Sequence, residues 1–376
     1  MLFRKMEANI SNNATLSIFF RYSIAQLHEK FAPTAAAIDQ SVTPILYFIG
    51  ILTNPLSAYI WLNRNTRKNN SSAIYLGTLS ISHFTFLILH IFVELNYAWG
   101  VKTYNDYISC EIFNVVYYIP QYLAPLLVLG FTVERYIAIC FPFSKEKYCT
   151  VHRAIMVIVG LSVLSVLLCI IQAYFWTYDP RKQDCNHRPE AVEGAQASIL
   201  SIWTWISELL IFGILPLAAL VFNVLVIMEI RSLTAGGPAY MSSGSGQAAS
   251  TITLLCVSFY LICTWLPATV VYSLQQAIHI GSEYLTDEQI AADSTWKGYF
   301  TYYIGRKIVE EITLSNSACY FFIYYITGKH FREETKMILG INKCCKRPAK
   351  DSGLSDYQTV SKAKKITNGN SYATNV

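Results

Sequence analysis

Seven apolar runs constrain this chain more than any other feature. They lie at about 43–62, 73–96, 108–140, 154–177, 200–230, 250–279 and 299–326. Each is near the roughly 20 residues a helix needs to cross the hydrocarbon core of a bilayer. A segment in lipid must satisfy its own backbone, so runs of this kind become membrane-spanning α-helices. Only 14% of the residues are charged, against about 25% in an ordinary soluble domain. The expected fold class is therefore an all-α membrane protein built as a seven-helix bundle. Its weakest runs are the second, interrupted by Ser80, Ser82, His83, His90 and Glu94, and the seventh, interrupted by Glu310 and Glu311. Polar groups inside a span face the bundle interior, so both runs point to a polar core.

Lysine and arginine predict the orientation. Arg64, Arg67 and Lys68 follow the first run, Lys145, Lys147 and Arg153 lie in the next loop on that side, and ten more follow residue 327. On the opposite side the loop at 97–107 holds only Lys102 and the loop at 280–298 only Lys297. An odd number of crossings then puts the N-terminus outside and the C-terminus in the cytoplasm, with the protein multi-pass in the plasma membrane. No cleavable signal peptide is expected. The net charge of +5 follows the inside bias, and no nucleic-acid-binding stripe is present. Asn9 (N-I-S) and Asn13 (N-A-T) fit N-glycosylation acceptors in the outer tail. Of ten cysteines, only Cys110 and Cys185 fall outside in this topology, where oxidation is possible, so one disulfide is expected between them.

The stretch "LVLGFTVERYIAICFPF", residues 127–143, places Glu134 and Arg135 side by side in apolar surroundings. Cys110 and Arg135 are 25 residues apart, and at about 1.5 Å per residue a helix covers about 37 Å between them. That sets Cys110 at the outer rim of the third helix and Arg135 at its inner rim. Snorkelling alone would explain the arginine, but not the acid beside it. This pattern, with "CTWLPATVVY" in the sixth run, Asn54 in "GILTNPL", Pro216 in "LPLAALVFN" and "NSACYFFIYYITGKHFREE" at the seventh, resembles the rhodopsin-family (class A) G-protein-coupled receptors over about residues 40–340. The seventh-helix pattern and "AIYLGTLSIS" are most similar to invertebrate neuropeptide receptors of the FMRFamide-receptor-like group.

The resemblance implies a receptor rather than an enzyme, with no cofactor and no metal. Glu134 would hold Arg135 at rest and release it to a heterotrimeric G protein on activation. Tyr136 would support the second inner loop, Trp265 and Pro267 would form the hinge of the sixth helix, and Tyr324 would turn inward as that helix moves. Arrestin and the lipid bilayer are further implied partners. A short amphipathic eighth helix, residues 328–343, would follow the receptor domain of residues 43–327. An extracellular tail (1–42) and a disordered cytoplasmic tail (344–376) would flank them, with Cys344 and Cys345 as lipidation sites.

The chain departs from the family at three places. His83 stands where the second helix carries an aspartate, and Phe321 where the seventh carries a proline. The fourth run lacks its usual tryptophan. A neutral imidazole is a poor ligand for sodium, so no sodium effect is expected, and the seventh helix should run straighter. Tyr117 replaces the aspartate of amine receptors and Leu314 the lysine of opsins, which disfavours both ligand classes. Glu94, Glu208 and Glu310 would face the outer cavity, and Tyr117, Tyr118, Gln121 and Trp265 would floor it. Three carboxylates there suit a cationic ligand such as an amidated, arginine-containing peptide. For Glu310 the competing reading is internal pairing with Arg306 or Lys307. The rival class is a polytopic channel or transporter, although no internal repeat is visible; a receptor for a non-peptide ligand is the other alternative.

Overall fold

The computed structural model describes residues 16–341 except 69, 182, 195–196, 236–244 and 276. Asn9, Asn13, Cys344, Cys345 and the polar tail lie outside the described residues. Contacts divide the chain into a unit ending at Thr335 and a second from Lys336 to Val376. The bundle lies in the first.

Seven long helices form the bundle: Pro33–Leu62, Ser71–Tyr97, Tyr107–Cys140, Val151–Cys169, a fifth running from Ile199 to Ala235, Ser245–Gln275 and Ser294–Thr327. Six are long and apolar enough to cross a membrane by composition alone. The seventh spanning helix carries Arg306, Lys307, Glu310 and Glu311, and it stays in the bundle because the first and sixth helices pack along it. With no proline at 321, it runs unbroken for 34 residues.

The helices are apolar outside and polar within, as lipid requires. On the first helix Ile45, Phe48 and Leu52 are exposed, while Asp39, Thr43, Asn54 and Ser57 are buried. Close approach replaces hydrophobic drive as the source of packing. A Cβ on Gly50 would lie 2.2 Å from Leu87 Cδ1 and 3.2 Å from Ala318 Cα. One turn on, Asn54 donates to the Ser317 carbonyl at 2.8 Å, tying the first helix to the seventh.

Prolines inside spans are tolerated because neighbours satisfy the freed carbonyls. Pro120 in the third helix leaves the Val116 carbonyl without its helical donor, and beside the proline neighbouring helices add bonds to the backbone: Ser82 donates to the Pro120 carbonyl at 3.1 Å and Ser165 to that of Ile119 at 2.8 Å. In the fifth helix, Pro216 has no N–H for the carbonyl of Phe212. The chain widens there into a π-helical turn, Glu208–Ile214, and Thr269 of the sixth helix donates to the Phe212 carbonyl at 2.8 Å.

At one end of the bundle a hairpin of β1 (Trp176–Asp179) and β2 (Asp184–His187) lies across the opening, with Tyr178 opposite Cys185. The Cys110–Cys185 disulfide, Cα atoms 5.5 Å apart, fastens it to the third helix. The segment read as an outer tail is folded from residue 16 onward. Ser23 and Gln26 form a capping box that starts a helix at Ile24–Phe31, after a shorter one at Ile18–Arg21, and the first spanning helix already begins at Pro33. Ile18, Leu27, Ala32 and Ala35 are buried against Ile290, Trp296 and Phe300, and full burial of a side chain like Leu27 contributes roughly 1.5–3 kcal/mol. Arg21 bonds Asp287 at 3.0 Å, and Tyr22 bonds it at 2.5 Å; Lys30 also pairs with Asp287.

At the other end, after Gly328, an amphipathic helix runs from Lys329 to Ile338, shorter than the expected 328–343. Its Phe331 is fully buried and packs on Trp61, Phe321 and Tyr324.

Candidate functional site

Beneath the hairpin and the N-terminal helices lies a cavity of about 510 Å³. All seven residues expected to bind a ligand line it: Glu94, Tyr117, Tyr118, Gln121, Glu208, Trp265 and Glu310. His83, which shares the inward face of Glu94, also reaches it; its ring lies 4.8 Å from that of Tyr320.

The carboxylates differ in their surroundings. Glu310 is fully engaged: it receives Arg306 at 2.7 Å, Lys307 at 3.1 Å and the Tyr272 hydroxyl at 3.0 Å. The internal pairing weighed against a ligand role is thus present at this residue. Lys307 also pairs with Asp39 at 3.2 Å. Glu311 accepts from Thr43 at 2.5 Å. Glu94 is 5% exposed, and its Oε1 has no hydrogen-bond partner among the described residues. Glu208 opens the π-helical turn.

Two cavity residues come from the segment expected to be a free tail. Ile24 and His28 line the cavity, and the His28 ring stacks on Tyr303 at 3.8 Å. Outside the spanning helices the ionic state of this roof is set by its neighbours. Burial, and then Lys307 and Arg306, pull His28 from its ordinary 6.5 to about 3, with Glu310 opposing. At Asp287 burial works upward, but the bonds from Lys30 and Tyr22 prevail and its carboxyl is held below the usual range. The S-x-x-Q capping box at Ser23–Gln26, just before an apolar pattern, was the sequence signal for an ordered segment.

The cavity floor connects to the sixth helix. The Trp265 indole stacks on Phe212 at 4.4 Å and 8°, just above Pro267. Asn316 donates to the Thr264 hydroxyl at 2.9 Å, linking the sixth and seventh helices one residue from Trp265.

At the opposite end Arg135 and Glu134 form an ion pair at 3.1 Å, with side chains 11% and 7% exposed. Ser71 of the second helix donates to Glu134, a partner that sequence reading missed because it lies 63 residues away. Arg135 also leans over the Phe131 ring at 5.7 Å. A pair so buried costs several kcal/mol of desolvation per ion, recovered only with good geometry and added hydrogen bonds. Tyr136 contacts Phe141, at the entry to the second loop on this side, and Phe222 of the fifth helix at 5.3 Å. Tyr324 is buried against Trp61, Tyr320 and Phe331.

Residues 56–304 match the profile of the family described as 7 transmembrane receptor (rhodopsin family). The pyrokinin-1 receptor of Drosophila melanogaster is 32% identical over 143 residues, covering 38% of this chain but only 33% of the relative's length. Growth hormone secretagogue receptor type 1 of Sus scrofa is 25% identical over 314 residues, 80% of each protein. Cysteinyl leukotriene receptor 2 of Homo sapiens is 22% identical over 299 residues, 78% of this chain and 79% of the relative.

Proposed function

Because the chain belongs to the rhodopsin family of seven-transmembrane receptors, we propose that it takes up one end of an extracellular peptide in the cavity and activates a heterotrimeric G protein at the Arg135 end. It is a multi-pass membrane receptor of that family and not an enzyme. In this reading the disulfide end and the N-terminus face outward, the C-terminus lies in the cytoplasm, the protein resides in the plasma membrane, and arrestin shares the inner face.

The observation that carries the reading is the Glu134–Arg135 pair, buried at the rim and braced by Ser71. A charge pair in that setting has two stable arrangements, closed on itself or opened onto a partner, and a partner that binds only the open one shifts the balance. The cavity supports a peptide: it is concave and aromatic, with a few charged groups converging on it, and has room for a peptide's end. The relatives named for pyrokinin and for a growth hormone secretagogue lend the same support.

Guanine-nucleotide exchange tests it, in membranes holding the chain and purified heterotrimers, with and without pools of amidated peptides. Some pools are expected to accelerate exchange, and Arg135→Ala is expected to abolish the acceleration while leaving peptide binding in place. No response to any pool, or full exchange with Arg135→Ala, would count against it.

A further inference from the structure

The charges around the cavity do not balance. Four carboxylates, Asp39, Glu94, Glu310 and Glu311, gather where the first, second and seventh helices meet, within electrostatic reach of one another and of Lys307. Two cations answer them, and both are committed. Arg306 sits on Glu310, and Lys307 bridges Glu310 and Asp39. Among the described residues Glu311 has only the Thr43 hydroxyl. Glu94 has no ion pair among the described residues, yet it is only 5% exposed and it lines the cavity. A buried carboxylate without a partner is strongly disfavoured, and a cation brought by a ligand would relieve that cost.

The walls beside Glu94 indicate which cation. His90, one helical turn below it, lies 5.2 Å from Phe86 and 6.0 Å from Tyr117, and Phe86 and Tyr117 are 5.9 Å apart. The Tyr47 hydroxyl fixes the His90 ring at 2.6 Å. A flat cation can lay its face on such rings while its edge makes paired bonds to a carboxylate; a guanidinium does both, and an ammonium is a strongly hydrated point charge that does neither as well.

We propose that Glu94 is the cation subsite of the cavity and takes a guanidinium group of the ligand. Glu310 holds the seventh helix's own cations, and Glu208 lies across the cavity on the fifth helix. This assignment rests on the peptide reading above and narrows it to arginine-bearing peptides, with the arginine directed toward the first, second and seventh helices.

The probes are three matched pools of amidated peptides with arginine, lysine or neutral citrulline at one shared position. They are applied to intact cells expressing the full chain, with surface expression measured in each arm. On the wild type, arginine is expected to outperform citrulline by at least about tenfold in potency, the low end for a close buried charge pair. Glu94→Gln is expected to shrink that ratio below about threefold. Glu94→Asp, which keeps the charge, is expected to retain most of the discrimination and guards against a folding defect in Glu94→Gln. A ratio unchanged by Glu94→Gln, or arginine and citrulline equal on the wild type, overturns the subsite while leaving the receptor reading intact. Lysine matching arginine overturns the guanidinium assignment. Silence of all pools at normal surface expression sinks the peptide reading and the subsite with it.

Discussion

Mild acid is expected to release the N-terminal segment from the mouth of the cavity, and His28 is the group responsible. Docked, the residue is 9% exposed, its ring stacked on Tyr303 and faced by Lys307, Arg306 and Glu310. Burial first, and the two cations next, hold it at about 3 against an ordinary 6.5. The docked value is the lower one, so the released segment binds more protons between the two. Docking strength contributed by neutral His28 is therefore complete above pH 6.5 and drains away as pH falls through it. At pH 5.5, one unit below the free value, the loss is about 1.4 kcal/mol, or a tenfold shift toward the released form. The figure is insensitive to the docked value, which lies far below pH 5.5. Asp287 does not confuse the result, because its carboxyl is held low and stays ionised there; the Lys30 ammonium, raised first by its bond to Asp287, stays charged. Amide hydrogen exchange on the purified receptor at pH 7.5 and 5.5, corrected for intrinsic rates, reads this directly over residues 24–32. His28→Phe keeps the stack but cannot titrate, so its protection should not change with pH. Equal protection at both pH values in the wild type, or the same loosening in His28→Phe, would refute the reasoning.

Four further outcomes are expected. Ser71→Ala removes a hydrogen bond to a charged acceptor, worth about 1.5–3 kcal/mol, and should raise basal nucleotide exchange; unchanged or lower basal exchange counts against Ser71 as a brace. Thr269→Val leaves the Phe212 carbonyl without the donor that replaces the missing N–H of Pro216, at a cost of about 1–3 kcal/mol, which should appear as a lower melting temperature. Gly50→Ala forces a methyl onto Leu87 and the Ala318 backbone and should destabilise by about 1–3 kcal/mol in the same assay. Replacing KCl with NaCl at constant ionic strength should leave the melting temperature unchanged, because His83 offers no carboxylate to the ion; a sodium-specific rise that His83→Ala removes would contradict this.

The two ends of the molecule were not equally legible. At the Arg135 end the reading needed only distance along one helix: Cys110 and Arg135 lie on the same rod, and the disulfide and the ion pair stand at its two ends as their spacing requires. The same holds for Asn54, Pro216 and Trp265, whose roles depend on position within a span. At the cavity, periodicity placed Glu94, Glu208 and Glu310 on inward faces, and all three line it. It could not say which would be neutralised. Asp39 takes part from a stretch counted as tail, and Glu311 meets Thr43 across 268 residues of sequence. The N-terminal roof went unread because residues 16–32 are moderately polar and short of a span. Their burial comes from packing against residues such as Ile290, Trp296, Phe300 and Tyr303, more than 250 positions on along the chain.

By itself the sequence determined how many times the chain crosses the membrane, which way each helix turns its polar face, and where along their helices Glu134, Arg135 and Trp265 stand. These follow from length and periodicity, since a bilayer leaves a backbone of that apolarity few alternatives. Only the tertiary structure decided how the buried charges pair, that Glu310 is satisfied while Glu94 is not, and that the N-terminal helices close over the cavity. Pairing energy falls steeply with distance and depends on how helices rotate and tilt against one another, and those are properties of the packed bundle rather than of any one segment.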